Sequence, residues 1–178
     1  MAKTTYNVDT VHSELGFQIK HMMISKAKGA FNDFEAVIEA DVDDLSDSTV
    51  ELTIDAASID TRNKDRDDHL RSGDFFEVEK YPKITFKATD IKKKSDNLYD
   101  VTGDLTIKDT TKPVSVDVTF EGQSKDPMSG NTVAGFSGTA KFSRKEFGLT
   151  WNAAVETGGV LVGDEVKVNF EIEAHKAE

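Results

Sequence analysis

Residues 13–21 read SELGFQIKH, and large apolar side chains occupy every second position of this stretch from Leu15 onward. Leu15, Phe17 and Ile19 share one face with His21, while the positions between them hold Gly, Gln and Lys. Consecutive side chains of a β-strand point to opposite faces of the sheet. The stretch therefore predicts an amphipathic strand with one buried face and one face toward water.

The same alternation recurs along the rest of the chain. It is found in Phe34–Ala40, Val50–Ala56, Ile84–Ala88, Tyr99–Ile107, Val114–Phe120, Ala134–Phe142 and Val166–Ala174. Eight amphipathic antiparallel strands are the number at which a sheet closes into a barrel that holds side chains or one small ligand, and closure removes exposed edges. The pattern predicts an all-β protein, an eight-stranded antiparallel barrel in preference to a sandwich.

One short helix is predicted at Asn63–Ser72. Thr61 or Asn63 provides an N-cap, Asp65 lies in the first turn, and Gly73 follows the last turn. The chain shows neither an internal repeat nor a linker between compact halves. One domain spanning residues 3–176 is therefore expected.

The segment Phe147–Gly163 is too irregular for a ladder strand and too apolar for a simple exposed loop. It carries Trp151 and the pair Gly158-Gly159. The glycine pair lacks the Lys-Ser/Thr of a P-loop and the βαβ context of a dinucleotide site. We expect this segment to fold over one barrel mouth as a lid.

Composition excludes several classes of function. The 178 residues carry 22 Lys and Arg, 33 Asp and Glu, and a net charge of −11, which repels nucleic acid and anionic headgroups. Without Cys there is no disulfide, thiolate nucleophile or Cys-ligated metal site. The chain lacks an apolar run of the roughly 18 residues that a transmembrane helix needs, and its first residues do not resemble a secretory signal. A soluble cytoplasmic protein is expected.

The predicted inward stripes leave open whether the barrel is hollow. They contain small residues where a solid core would have Val, Ile or Leu: Ala36, Ala40, Ala56, Ala88, Gly103, Ala134, Gly138 and Ala140. Seven Phe residues could fill that space, so the pattern fits a cavity and a packed core equally well. A cavity with walls of Phe, Leu, Ile, Val and Ala would select a hydrocarbon chain over a sugar or nucleotide.

Several motifs together resemble the YceI-like family. They are VDTVHS at 8–13, KGAF at 28–31, SIDT at 58–61, RDDHLRS at 66–72, DFF at 74–76, GDLTI at 103–107, TKPV at 111–114, Arg144 with FGL at 147–149, and VGDEV at 162–166. The resemblance covers nearly the whole chain, which is similar to the UPF0312-type members of the family. Arg62 and Asp109 depart from the usual pattern, since both stand at turn positions where the family often has Gly.

The resemblance implies a lipocalin-like barrel that encloses a polyisoprenoid, such as a polyprenyl diphosphate or a quinone tail. It implies binding without catalysis, no cofactor besides that lipid, and possible homodimers. Two other hypotheses stay open, an acidic protein-interaction module with a solid core and an accessory enzyme acting on such a lipid.

The inward stripes and the resemblance together predict the site residues. The tunnel wall is predicted to consist of Phe17, Ile19, Phe31, Phe34, Ile38, Leu70, Phe75, Phe76, Phe86, Phe136, Phe142 and Trp151. The headgroup candidates are His21, Arg66 and His69, because guanidinium and imidazole groups donate to diphosphate or quinone oxygens. Arg66 could instead pair with Asp60 or Asp67, and His21 could be a satisfied wall residue.

The histidines do not predict a catalytic or metal site. His12 and Ser13 are adjacent, so strand geometry points them to opposite faces, and a turn and ladder contact is favoured over nucleophilic catalysis. His12, His21, His69 and His175 lack a metal-binding spacing. The sequence therefore predicts no metal.

Overall fold

The computed structural model describes residues 3–22, 24–41, 44–152 and 162–177. Within these residues, eleven strands form one antiparallel sheet. They are β1 (Thr4–Val8), β2 (Glu14–His21), β3 (Ser25–Phe31), β4 (Phe34–Asp41), β5 (Asp44–Asp55), β6 (Ile59–Asp60), β7 (Lys83–Lys93), β8 (Leu98–Ile107), β9 (Thr110–Lys125), β10 (Thr132–Ser143) and β11 (Val162–Lys176).

Eight of these strands close into a barrel. Their order is β1-β4-β5-β7-β8-β9-β10-β11, and β1 pairs with β11 to complete the ring. The sheet continues from β11 to β2, β3 and β6. The prediction of an all-β, eight-stranded antiparallel barrel is confirmed. Closure gives each strand of the ring a partner on both sides, whereas β6, at the end of the extension, pairs with β3 alone among the described strands.

The strand predictions were right in position but incomplete. Each of the eight predicted stretches lies in a strand, except that Ala56 begins a short 3₁₀ turn, Ala56–Ser58. Three strands were missed: β1, β3 and β6. β3 reads SKAKGAF, with Ala and Gly in place of large apolar residues, so its own sequence carries little alternation. Pairing with β2 on one side and β6 on the other holds it in the sheet.

The strand register defines the two ends of the barrel. β2 ends at His21, opposite Val162 at the start of β11, and β3 begins beside it at Ser25. The β9–β10 hairpin lies at the other end, since Val133 pairs with His175 near the end of β11. The β4–β5 and β7–β8 hairpins lie at that far end too, because the ring is antiparallel throughout.

The one α-helix in the described part of the chain is α1 (Lys64–Arg71), which lies inside the predicted range. The Asn63 side chain caps it by accepting the Arg66 N–H at 3.0 Å, as predicted. Gly73 is not in the left-handed conformation. The helix ends instead through Ser72, whose N–H donates to the carbonyl of His69 at 3.1 Å.

Beyond β10, a 3₁₀ turn, Arg144–Phe147, leads the chain back toward the barrel. Gly148 adopts φ 81°, a left-handed conformation that favours glycine, and ends the turn. Phe147 and Leu149 are buried in the core beside it. Residues 153–161, which carry most of the predicted lid, lie outside the described residues.

The small inward residues are packed rather than vacant. A Cβ added at Gly103 or Gly138 would overlap the ring of Phe86 or Phe170. Ala40, Ala56 and Ala134 are at most 1% exposed. Most of the small residues therefore make room for neighbouring side chains, and the hypothesis that they leave a cavity was wrong for these positions.

Candidate functional site

The barrel nevertheless encloses a cavity of about 700 Å³ with an overwhelmingly apolar wall. All twelve predicted wall residues border it: Phe17, Ile19, Phe31, Phe34, Ile38, Leu70, Phe75, Phe76, Phe86, Phe136, Phe142 and Trp151. Of the small residues named from the sequence, only Ala36 and Ala140 line it. The cavity therefore exists because large side chains surround the space instead of filling it.

Aromatic rings are concentrated at the end of the cavity that α1 covers. The Phe17 ring lies 5.5 Å from Phe31, and Phe31 lies 5.9 Å from Phe76 in an edge-to-face arrangement. Phe75 and Trp151 contact each other at 5.6 Å between centroids. Such pairs stabilise one another beyond simple burial. They connect β2, β3, the segment after α1 and the segment after the 3₁₀ turn.

The mouth is located by the lining residues that are exposed to solvent. Among the described lining residues these are Lys20, Asn63, Asp65 and Arg66. Lys20 lies near the end of β2, and the other three lie at the start of α1. The cavity therefore opens between the β2–β3 hairpin and the N-terminal half of the helix.

Arg66 is held at this mouth by Thr61. Its Nε donates to the Thr61 hydroxyl and its Nη2 to the Thr61 carbonyl, both at 2.7 Å. Thr61 in turn donates its N–H to the buried carboxylate of Asp67 at 2.9 Å. The expectation that Arg66 pairs with Asp60 or Asp67 was wrong, since Thr61 stands between the arginine and Asp67. Within the described residues Nη1 makes no hydrogen bond, and the side chain stays exposed.

His69 lies one turn further along α1 and lines the same cavity. Its Nε2 is 2.9 Å from Asp74 Oδ2, and its ring packs edge-on against Phe75 at 5.1 Å and Trp151 at 4.7 Å. These contacts fix the imidazole between the helix and the aromatic cluster. The structure therefore places His69 in the wall, with one ring nitrogen already paired.

His21 lines the cavity at the end of β2, half-buried, as its position on the inward face predicts. Its side chain makes no hydrogen bond to the residues that the structure describes. A polar ring in this position has its donor and acceptor available to a group in the mouth. Its role as a headgroup ligand stays a prediction, as does that of Arg66 and His69.

Arg144 is a lining residue that was not predicted as part of the site. It is 2% exposed and donates to the carbonyls of Gly163 at 2.8 Å, Trp151 at 3.0 Å and Val162 at 3.3 Å, and also to that of Leu149. Burial lowers the pKa of the guanidinium. Arg144 therefore ties the segment carrying Trp151 to the start of β11. The only sequence signal was its place in the family-like motif before Phe147-Gly148-Leu149.

One fully buried polar atom of the wall has no partner among the described residues. The Ser48 hydroxyl oxygen is buried on the lining and makes no hydrogen bond within the described part of the chain. Buried hydroxyls are normally paired. Ser48 is therefore a point where a polar atom inside the cavity would be stabilised.

A second polar cluster lies outside the cavity, where β1 and β2 meet β11. Asp9 Oδ2 is 2.7 Å from His12 Nδ1 and 3.1 Å from His175 Nε2, and Glu173 Oε2 is 3.8 Å from His12 Nδ1. Ligand atoms of Asp9, Glu173 and His175 lie within 4.8 Å of one another, the one such group among the described residues. The sequence did not predict this group. Hydrogen bonds and ion pairs among its members account for it.

His12 and Ser13 do not form a nucleophilic pair. The Ser13 hydroxyl contacts the backbone of Glu173, accepting its N–H at 3.0 Å, and His12 is paired with Asp9. The interpretation as a turn and ladder contact is confirmed. In the part of the chain that the structure describes, no helix has both the length and the apolar character to cross a membrane.

Comparison with known proteins agrees with this architecture. The sequence model of the YceI-like domain matches residues 6–174. A UPF0312 protein of Staphylococcus epidermidis is 45% identical over 164 residues, covering 92% of this chain and 93% of the relative. The crystal structure of Burkholderia cenocepacia BcnA is similar with a TM-score of 0.81 and 30% identity, covering 93% of this chain and 98% of that one.

A more distant structure has the same fold. It is a polyisoprenoid binding domain from Saccharophagus degradans implicated in plant cell wall breakdown, with a TM-score of 0.72, 15% identity, and coverage of 98% of this chain and 99% of that one. The fold and the cavity define the class as a closed antiparallel β-barrel with an internal apolar cavity. Within that class, the chain belongs to the YceI-like family.

Proposed function

We propose that this chain is a non-enzymatic carrier or store of a long isoprenoid lipid, whose tail occupies the barrel cavity. The observation that carries the proposal is an apolar cavity of about 700 Å³ with one polar mouth. Lining of this kind favours a hydrocarbon, because few groups in the wall could replace the hydration of a sugar or nucleotide. The fold shared with a polyisoprenoid binding domain supports the same ligand class.

The volume of the cavity sets the length of tail that it accepts. At the roughly 30 Å³ that a water molecule takes up in the liquid, 700 Å³ holds on the order of 20 carbon-sized groups. At about 0.8 kcal/mol per buried CH₂, their gross transfer free energy is on the order of 16 kcal/mol. This gross transfer free energy exceeds the roughly 8 kcal/mol of binding free energy in a micromolar complex, even after part of it offsets the entropy cost of ordering a flexible chain.

The mouth supplies the groups for a polar headgroup. Arg66 presents there an Nη1 that makes no hydrogen bond to the described residues, and His21 and His69 lie on the lining beside it. A polyprenyl phosphate or diphosphate accepts hydrogen bonds from guanidinium and imidazole groups, and so does a quinone carbonyl. The predicted headgroup and wall residues thus lie along one continuous surface.

The first test is native mass spectrometry of the freshly purified protein, followed by organic extraction of whatever is bound. A stoichiometric polyprenyl species supports the proposal and identifies the headgroup. For delipidated protein, affinity for polyprenyl phosphates should rise with tail length and level off near about 20 carbons, when the cavity is full. Straight alkyl phosphates of matched carbon number serve as controls. A clean apo mass that polyprenyl phosphates and quinones leave unchanged would falsify the proposal.

An accessory enzyme of isoprenoid metabolism is the second candidate. The observation that favours it is the pairing of His69 with Asp74 beside the mouth, an arrangement that can transfer protons. His69→Ala would abolish turnover in an enzyme, whereas a carrier should keep nearly all of its tail binding.

The third hypothesis, an interaction module with a solid core, disagrees with the observed cavity. A single domain over residues 3–176, a cytoplasmic location and a homodimer stay predictions.

A further inference from the structure

The β2–β3 hairpin carries exposed apolar residues at the rim of the cavity mouth. Met22 is 42% exposed and Ile24 is 84% exposed. Single exposed apolar residues are ordinary on protein surfaces. These two differ in that they lie directly beyond His21, a lining residue, at the end where the cavity opens.

Three lysines flank this tip on the outer face of the same hairpin. Lys20 and Lys26 are direct cross-strand partners, and Lys28 follows opposite Gln18. All three are exposed, and none makes an ion pair with the described residues. Like charges placed directly opposite each other destabilise an antiparallel pair. An anionic partner outside the protein would relieve the repulsion between Lys20 and Lys26, and it would have to meet this hairpin because the net charge of −11 repels anionic headgroups from the rest of the surface.

Six other lysines of the chain are in ion pairs, whereas the remaining nine, among them Lys93 and Lys125, have none with the described residues either. Lys3, Lys64, Lys87, Lys92, Lys94 and Lys108 each lie within 4 Å of a carboxylate. Near the hairpin, Asp164 accepts from the Ser143 hydroxyl at 2.7 Å, so this carboxylate is directed at Ser143 and not at the lysines. Within the described residues, none of the three hairpin lysines lies within 4 Å of a carboxylate oxygen.

We propose that the β2–β3 hairpin docks on an anionic lipid bilayer, with Ile24 and Met22 entering the headgroup region and Lys20, Lys26 and Lys28 contacting the lipid phosphates. This inference rests on the proposed function, because docking there brings the cavity mouth against the membrane from which a lipid tail enters. Apolar side chains flanked by lysines are what binding at a membrane interface requires. The acidic remainder of the chain orients the hairpin toward the bilayer and keeps the other faces away from it.

The test is co-sedimentation with vesicles of phosphatidylcholine and phosphatidylglycerol in equal parts, compared with vesicles of phosphatidylcholine alone. We expect binding to the anionic vesicles that weakens with added salt. Lys26→Glu with Lys28→Glu should lower the partition coefficient by at least about 25-fold, roughly fivefold for each lysine lost. The matched control is Lys93→Glu with Lys125→Glu, two exposed lysines at the far end of the barrel, which makes the same change in net charge. This control should bind within about threefold of the original protein.

The apolar tip is tested separately. Ile24→Ser should lower binding to the same vesicles about tenfold, whereas Met128→Ser, which removes a 94% exposed side chain from the β9–β10 turn, should leave it unchanged. An equal loss of vesicle binding in the two double lysine variants, or no binding of the original protein to anionic vesicles, would overturn the docking proposal. Native mass spectrometry of the same samples separates the two proposals. A lipid-loaded protein that does not bind vesicles contradicts the docking proposal but not the carrier function. A protein that binds vesicles but never takes up lipid contradicts the carrier function.

Discussion

At the scale of single residues, glycine decides where the Phe rings of the wall can lie. The Phe170 ring covers Gly138, its cross-strand partner, and Phe17 covers Gly29 in the same way. Glycine within a strand normally weakens it. Here its missing side chain leaves room for a neighbouring ring of the cavity wall to pack directly against the strand.

Gly138→Ala should therefore destabilise the barrel by roughly 1–3 kcal/mol, since the new Cβ overlaps both the Phe170 ring and the Asp117 carbonyl. The control is Gly135→Ala on the same strand, where the nearest side-chain atom would be 3.4 Å away. That change should be neutral or slightly stabilising. Urea unfolding midpoints measure both variants. Equal shifts for the two would show that the ring contact is irrelevant.

The Asp9 cluster should make stability depend on pH. A hydrogen bond from His12 lowers the pKa of Asp9 below 3.8, and the same hydrogen bond raises the pKa of His12 above 6.5. The contribution of Asp9 is lost as the pH falls through its lowered pKa, and that of His12 is lost as the pH rises through its raised pKa. The pair therefore stabilises the fold most between these two values.

Asp9→Asn should reduce the melting temperature more at about pH 5.5 than at about pH 9, because His12 is charged only at the lower pH. Asp96→Asn, a change of the same kind in the exposed β7–β8 turn, is the control. A melting-temperature difference from the original protein that is the same at both pH values would contradict the role of the pair.

At the scale of elements, α1 is held over the cavity by polar contacts at its first turn. Asp67 is only 7% exposed and accepts both the N–H and the hydroxyl of Thr61, which are buried with it. Arg66 adds two hydrogen bonds to the same threonine. Arg71 in the last turn donates to the carbonyls of Ala57 at 2.9 Å and Ile59 at 3.0 Å, so both ends of the helix are tied to residues 57–61.

Asp67→Ala should cost roughly 1–3 kcal/mol of unfolding free energy, because it leaves two buried donors of Thr61 without acceptors. Asp68→Ala removes an exposed carboxylate one residue later, paired with Lys64 and Arg71, and should cost at most about 1 kcal/mol. Chemical denaturation measures the stability of both. Loosening α1 should also speed release of a bound polyprenyl phosphate, and an unchanged release rate in Asp67→Ala would show that the helix does not control the mouth.

At the scale of the whole molecule, barrel closure creates the cavity. Eight strands bring inward faces from the entire chain around one space, and the volume left depends on the sum of their side chains. Ala36 on β4 lines this space, whereas Val37 beside it is 46% exposed on the outer face. Two neighbouring residues thus offer a direct test of what the interior holds.

Ala36→Trp should shorten the longest tail that the protein accepts by roughly one isoprene unit, because the indole takes up part of the cavity. Val37→Trp adds the same side chain to the outside and should leave the tail length unchanged. Native mass spectrometry with polyprenyl phosphates of increasing length measures both. If the two variants accepted the same tails as the original protein, the ligand would not occupy this part of the barrel.

The sequence by itself determined the strands with strong alternation, the helix within Asn63–Ser72, and the inward faces of the strands that carry Phe17, Ile19, Phe34, Ile38, Phe86, Phe136 and Phe142. Each of these follows from local geometry, since a period of two residues assigns a side chain to one face wherever the strand goes. Local signals failed for β3, whose small residues carry no alternation and which is a strand because β2 and β6 pair with it.

Only the tertiary structure decided what depends on residues far apart in the chain. Asp9 meets His175 because β1 pairs with β11 when the ring closes, and Arg144 donates both to the nearby Trp151 carbonyl and to that of Gly163 at the start of β11. The cavity also depends on residues far apart in the chain. Local patterns show which side chains point inward, but they do not show whether side chains from opposite strands contact each other and fill the barrel. Large Phe rings lie along the wall over glycine and leave the centre open, and that arrangement exists only once all eight strands are in register.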